Sequence, residues 1–106
     1  FSGNSKIQTP VRIKNSSHVF HQYTLVLNDA DRNKLKEHLA SKEIPSMIYY
    51  PFPLHSQKAY RNKVNEGKKY PITDKLCASV ISLPMHTELD EETLKYIADS
   101  VLNFCK

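Results

Sequence analysis

Residues 44–60 read Ile-Pro-Ser-Met-Ile-Tyr-Tyr-Pro-Phe-Pro-Leu-His-Ser-Gln-Lys-Ala-Tyr, a run that holds three prolines, four aromatic residues and a histidine. Pro45, Pro51 and Pro53 each lack a backbone N–H and drive the preceding residue toward extended backbone, so no continuous helix can pass through this stretch. The pattern predicts a short strand over residues 46–50, followed by a stiff extended turn over residues 50–54. A stiff turn at a strand end holds its side chains in place with little entropy left to lose on binding. Tyr49, Tyr50, His55 and Gln57 are the polar tips it presents, and they are the candidate binding residues. The same residues also fit a structural arrangement in which Tyr49 and Phe52 enter the core, Tyr50 forms the rim and His55 caps the helix that follows.

A chain of 106 residues is one domain, and at this size folding buries about two-thirds of the surface that the unfolded form exposes. It can fold alone and still lean on a partner. The apolar and charged fractions are ordinary, not those of a disordered chain. With only two glycines, a glycine-rich phosphate loop is excluded. The formal charge of +4 is spread among interspersed acids. One local cluster, Lys58, Arg61, Lys63, Lys68 and Lys69, follows the proline-rich run and favours an anionic ligand. No nucleic-acid motif accompanies it, so nucleic acid is not an expected partner.

No apolar run reaches the length of a membrane span and no signal-peptide pattern is present, so no membrane partner is expected. Cys77 and Cys105 make no metal spacing with the histidines. Both sit on apolar helical faces as small hydrophobes, which suits a reducing cytoplasm. Phe1 in the place of an initiator Met reads as a chain processed, trimmed or cut from something longer.

Along the chain, residues 7–13 alternate loosely around Thr9-Pro10 and predict an edge strand or an extended connection. Residues 18–27 predict a strand apolar on both faces, hence central. Asn28 or Asp29 is expected to cap a helix over residues 30–42, with Leu35 and Leu39 on its buried face and His38 at the core rim. After the proline-rich run, residues 55–61 read as a short helix and residues 65–67 as a polar loop. Pro71 suits a first helical position, and Ile72, Leu76, Val80 and Leu83 recur at near-helical spacing, which predicts a helix over residues 71–81. Leu83-Pro84-Met85-His86 is an extended breaker. Asp90 caps a last helix that carries Leu94, Ile97, Ala98, Val101, Leu102 and Cys105 on one face. The order strand, strand, helix, strand and three helices predicts an α+β fold: a small antiparallel or mixed sheet of about three strands with helices packed on one side.

No motif here supports catalysis by itself: there is no nucleophile elbow, no paired metal histidines and no carboxylate pair apart from helix caps. The five histidines, His18, His21, His38, His55 and His86, are scattered, and no metal site is expected from them.

Three segments taken together are more specific. His-Gln-Tyr at residues 21–23, the Ile-Pro-Ser-Met-Ile-Tyr-Tyr-Pro-Phe-Pro-Leu-His-Ser-Gln run at residues 44–57, and Ser-Leu-Pro-Met-His-Thr-Glu-Leu at residues 82–89 resemble, in order and spacing, the C-terminal region of the DegT/StrS family of sugar-nucleotide aminotransferases. The resemblance covers nearly the whole chain from Thr9. It implies the small C-terminal domain of a fold-type-I, pyridoxal-phosphate-dependent homodimer, whose Schiff-base lysine, pyridine-binding acid and phosphate cup lie upstream. The fragment alone is then expected to be inactive and to hold no cofactor.

The resemblance further implies substrate contact by the residues at 49 and 50, where members commonly have His-Tyr-Pro in place of Tyr49-Tyr50-Pro51. His55 and Gln57 match the motif and either line the site or fix the turn; His86 matches as a structural residue. Val26 stands where many members have an arginine. The substrates implied are a nucleotide-linked keto sugar and an amino-acid donor, glutamate being expected. Against this stands a stand-alone, non-catalytic binding or assembly module on the same scaffold.

Overall fold

The computed structural model describes residues 1–60 and 67–106. In it the alternating run Tyr-Thr-Leu-Val-Leu forms the central strand β2 (Tyr23–Leu27), flanked by β1 (Ile7–Gln8) and by β3 (Val80–Leu83) in an antiparallel sheet. Ile7 stands opposite Leu27, and Leu25 opposite Ile81. Because side chains alternate across a strand, these four and Leu83 share one face. Helix α1 (Arg32–Ala40) brings Leu35 and Leu39 onto that face, and helix α3 (Glu91–Phe104) brings Ile97 and Val101, with Cys105 at its end. Leu25, Leu35, Leu39, Ile81 and Val101 are wholly buried, each contributing about 1.5–3 kcal/mol by removal from water.

The helix starts follow from capping chemistry. Asp90 Oδ1 accepts the Thr93 N–H at 2.7 Å, as expected for the start of α3. At α1 the cap is Asp31, not Asn28 or Asp29: its Oδ1 accepts the N–H groups of Asn33 and Lys34 at 2.9 and 3.1 Å. Asp29 has a positive φ of 53° and turns the chain ahead of the helix. The far end of α1 falls short of Lys42 because Pro45 requires an extended Ile44. Glu43 reverses the chain at φ 59°, and the Ile44 N–H returns to the Leu39 carbonyl at 2.9 Å, which satisfies a carbonyl left over at the helix end.

Two strands are shorter than expected. Of residues 18–27 only Tyr23–Leu27 pair; Phe20 has φ 47°, which breaks the extended run, and its N–H is taken by His18 Nδ1 at 2.9 Å. Of residues 7–13 only Ile7–Gln8 pair, since Pro10 has no N–H to donate.

The third strand lies elsewhere than predicted. Residues 46–50 contribute a single bridge, in which Met47 and Ser82 exchange backbone hydrogen bonds of 3.0 and 2.7 Å. Pro45 and Pro51 bracket this segment too closely for a ladder. The strand is instead Val-Ile-Ser-Leu at β3, so helix α2 (Pro71–Ser79) ends before Ile81. Val80 and Leu83, which recur at helical spacing, belong to the strand, where β-branched residues pack well. The helix expected over residues 55–61 is two short 3₁₀ turns, Leu54–Ser56 and Lys58–Tyr60, separated by an extended Gln57. Its end at Arg61, Lys63 of the basic cluster, and most of the loop expected at residues 65–67 lie outside the described residues. The architecture is α+β, with α1 and α3 over one face of the sheet.

Candidate functional site

The proline-rich run leaves the sheet after its single bridge and has no ladder to join, so the side chains from Tyr49 to Leu54 are held by backbone stiffness more than by burial. Tyr49 is 40% exposed, Tyr50 74% and Phe52 69%. The arrangement that puts Tyr49 and Phe52 in the core is therefore overturned, because α1 and α3 already fill that face. The Tyr49–Tyr50 peptide is cis, and the two rings meet edge to face, 6.1 Å apart.

These residues form one wall of a cleft of about 660 Å³. Tyr49, Tyr50, Phe52, Pro53, Leu54 and Gln57 make this wall; Thr73, Leu76 and Cys77 of α2, with Val80, make the other. Of the four candidates, Tyr49, Tyr50 and Gln57 line the cleft. His55 lies against α2: its Nε2 is 3.2 Å from Asp74 Oδ1, and its ring centroid is 4.7 Å from that of Tyr70. The α2 wall was not foreseen from sequence. In the structure α2 carries Ile72 and Leu76 at helical spacing yet buries no residue, which leaves an apolar helix face without a core to enter.

A second hollow of about 290 Å³ adjoins the first. His21 and Gln22, then Pro45, Ser46 and Met47, then Ser82, Pro84 and Met85 line it, so the three motif segments converge although they are far apart in sequence. Tyr49 lines both hollows. Beside the second, Thr24 Oγ1 and Ser82 Oγ share a 2.8 Å hydrogen bond that links β2 to β3. His86 serves its own loop, its Nδ1 accepting the Glu88 N–H at 3.2 Å. Val26 is half-buried, opposite Val80.

Among the described residues, no group of three or more His, Cys, Asp or Glu is placed to hold a metal. No described helix is long and apolar enough to cross a membrane. Cys105 is buried at the end of α3, and burial pushes its thiol above the usual range.

Residues 1–102 match the model of the DegT/DnrJ/EryC1/StrS aminotransferase family. The chain belongs to this family. DegT/DnrJ/EryC1/StrS proteins are pyridoxal-phosphate-dependent aminotransferases. The chain is 39% identical over 92 residues to the UDP-N-acetyl-3-dehydro-α-D-glucosamine 3-aminotransferase of Acidithiobacillus ferrooxidans, covering 87% of this chain and 24% of that protein. It is 34% identical over 98 residues to a pleiotropic regulatory protein of Geobacillus stearothermophilus, covering 92% and 26%. The solved structure of DesV from S. venezuelae, in complex with a ketimine intermediate, superposes with a TM-score of 0.87 at 25% identity, covering 99% of this chain and 28% of that one. The chain thus spans about a quarter of the length of the relatives it matches.

The cofactor of the DegT/DnrJ/EryC1/StrS family does not fit the described residues of the cleft. Among the described residues its lining has no lysine to form an imine, no carboxylate to face a pyridine nitrogen and no cluster of cationic donors for a phosphate. What the lining does offer is flat aromatic surface with hydroxyl and amide groups at its edge.

Proposed function

We propose that these 106 residues are the small C-terminal domain of a longer, homodimeric, cytoplasmic aminotransferase. That enzyme moves an amino group from an amino acid, glutamate being the expected donor, to a keto sugar carried on a nucleotide. Pyridoxal phosphate and the lysine that holds it belong to the part of the enzyme outside this chain, and none of the lysines here is assigned that role. This domain's task is to bind and orient the sugar nucleotide.

The observation that carries the reading is the exposed aromatic wall of the cleft. A uracil or thymine base has an apolar face and a polar edge, and it matches rings that stand out of the fold with hydroxyl and amide groups beside them. Tyr50 offers the face, while Tyr49 and Gln57 offer hydrogen bonds at its margin. The positive charge of Lys58, Lys68 and Lys69 favours the diphosphate. A relative that is 39% identical is named for its action on a UDP-linked amino sugar, which supports the substrate class.

The test is made in the full-length enzyme. Tyr50→Ala is expected to raise the KM for the sugar nucleotide by about tenfold, the loss of one good aromatic contact, while the cofactor absorbance stays normal. An unchanged KM removes Tyr50 from the site.

A second reading, a non-catalytic binding or assembly module, is favoured by one observation. A relative covering 92% of the chain at 34% identity is named a regulatory protein. Sequencing the frame upstream of Phe1 separates the two: a continuous frame into a cofactor domain with a candidate Schiff-base lysine supports the aminotransferase, and a stop with its own start codon supports the module.

A further inference from the structure

The two walls of the aromatic cleft come from separate elements. The turn Leu54–Ser56 is three residues long, closed by the Ser56 and Gln57 N–H groups on the Pro53 and Leu54 carbonyls at 3.0 Å each, and no side chain caps it. A single turn of this length is not stable alone. The opposite wall, α2, begins without a side-chain cap and buries none of its residues. Across this gap His55 places Nε2 3.2 Å from Asp74 Oδ1 and rests its ring on Tyr70, the residue just before α2. The His55 side chain is 24% exposed and that of Asp74 52%, so water and salt reach the contact from the Asp74 side. Neither His55 nor Asp74 lines the cleft, yet their neighbours Leu54 and Thr73 do.

We infer that His55 is a positioning residue: it clasps the Leu54–Ser56 turn to the first turn of α2 and so sets the spacing between Tyr50 and Gln57 on one wall and Thr73 and Cys77 on the other. The inference rests on the cleft being the sugar-nucleotide site proposed above. Its physical content is preorganisation, since a cleft whose walls are already spaced for a flat base loses less freedom on binding than one whose turn must be ordered first.

The experiment measures amide hydrogen exchange and UDP affinity on the same 106-residue chain, with UDP as the probe. In His55→Ala, exchange at the Ser56 and Gln57 amides is expected to rise and UDP to bind about tenfold more weakly, the cost of ordering a side-chain-bearing turn. The amides of Leu25 and Ile81 stay as slow as in the wild type, which shows that the fold is kept. His55→Gln, which retains an N–H donor, recovers part of both losses. Asp74→Ala reproduces both, although Asp74 does not face the ligand. Weaker UDP binding in His55→Ala with unchanged exchange at Ser56 and Gln57 would mean that His55 touches the ligand, and it overturns the clasp; so does a variant unchanged in both. If the wild-type chain does not bind UDP, the proposed substrate class fails, while the exchange measurement still decides the clasp by itself.

Discussion

The core beside β2 and the proline-rich turn beside α2 use the same kinds of side chain to opposite ends. Leu25, Leu35, Leu39, Ile81 and Val101 are completely buried, whereas Tyr50, Phe52, Leu54 and Ile72 stand mostly in solvent. The difference begins in the backbone. Around β2 every strand residue has an N–H for a ladder, so alternation sends one set of side chains inward, and α1 and α3 close over them. At residues 44–57 the prolines deny the ladder and leave one bridge at Met47. Ile44, at the start of this run, is still part of the core, but Tyr50, Phe52 and Leu54 beyond the bridge are held in place without being buried, which is the condition for meeting a ligand. The core should therefore govern stability with no direct effect on binding, and the turn should govern binding with little effect on stability.

The largest expected effect is in the core. Leu25→Ala or Val101→Ala should each lower unfolding stability by about 3 kcal/mol through the lost burial and the cavity left behind, read as a lower urea midpoint at unchanged slope. Next is Tyr50→Ala, which should leave that midpoint where it is and weaken UDP binding by about tenfold. A falling midpoint in this variant would break the comparison, because it would make the turn a structural element.

The two cysteines sharpen the contrast. Cys77 faces the cleft and is half-buried, whereas Cys105 is buried with its thiol pushed up by desolvation. A thiol reagent should label Cys77 first and reach Cys105 only on unfolding, and UDP should slow the labelling of Cys77.

The smallest effect is on the acid side. Backbone N–H groups of Lys34 and Thr93 hold the Asp31 and Asp90 carboxyls below their ordinary value of 3.8. Groups whose folded value is depressed contribute stability that is fully present above pH 3.8 and is lost as pH falls through the lower folded values. Asp31→Asn and Asp90→Asn keep a capping side chain, so they should leave neutral-pH stability nearly unchanged and flatten the loss of stability on the acid limb.

What was legible from sequence follows the same division. Leu35 and Leu39 on α1, and Ile97, Val101 and Cys105 on α3, repeat at helical spacing and bury as that spacing implies. The α+β class came from these elements and from β2. The misplaced strand arose where two periods overlap. Ile72, Leu76, Val80 and Leu83 satisfy a helical repeat, yet β-branched Val80 and Ile81 pair with Val26 and Leu25, a contact set by residues far away in sequence. Residues 46–50 look strand-like by composition, but their flanking prolines decide otherwise. Along the cleft, Tyr49, Tyr50 and Gln57 could be picked out from the stiff turn. The α2 wall and the contact of His55 with Asp74 could not, because a lone sequence does not say which helix will stand across from a turn.

The most direct test of the sugar-nucleotide cleft is chemical-shift mapping of the 106-residue chain titrated with UDP. The account predicts shifts gathered at Tyr49, Tyr50, Gln57, Thr73, Leu76 and Cys77, with the amides of Leu25, Leu39 and Val101 unmoved. Shifts gathered on another face, or no shift at millimolar UDP, would contradict it.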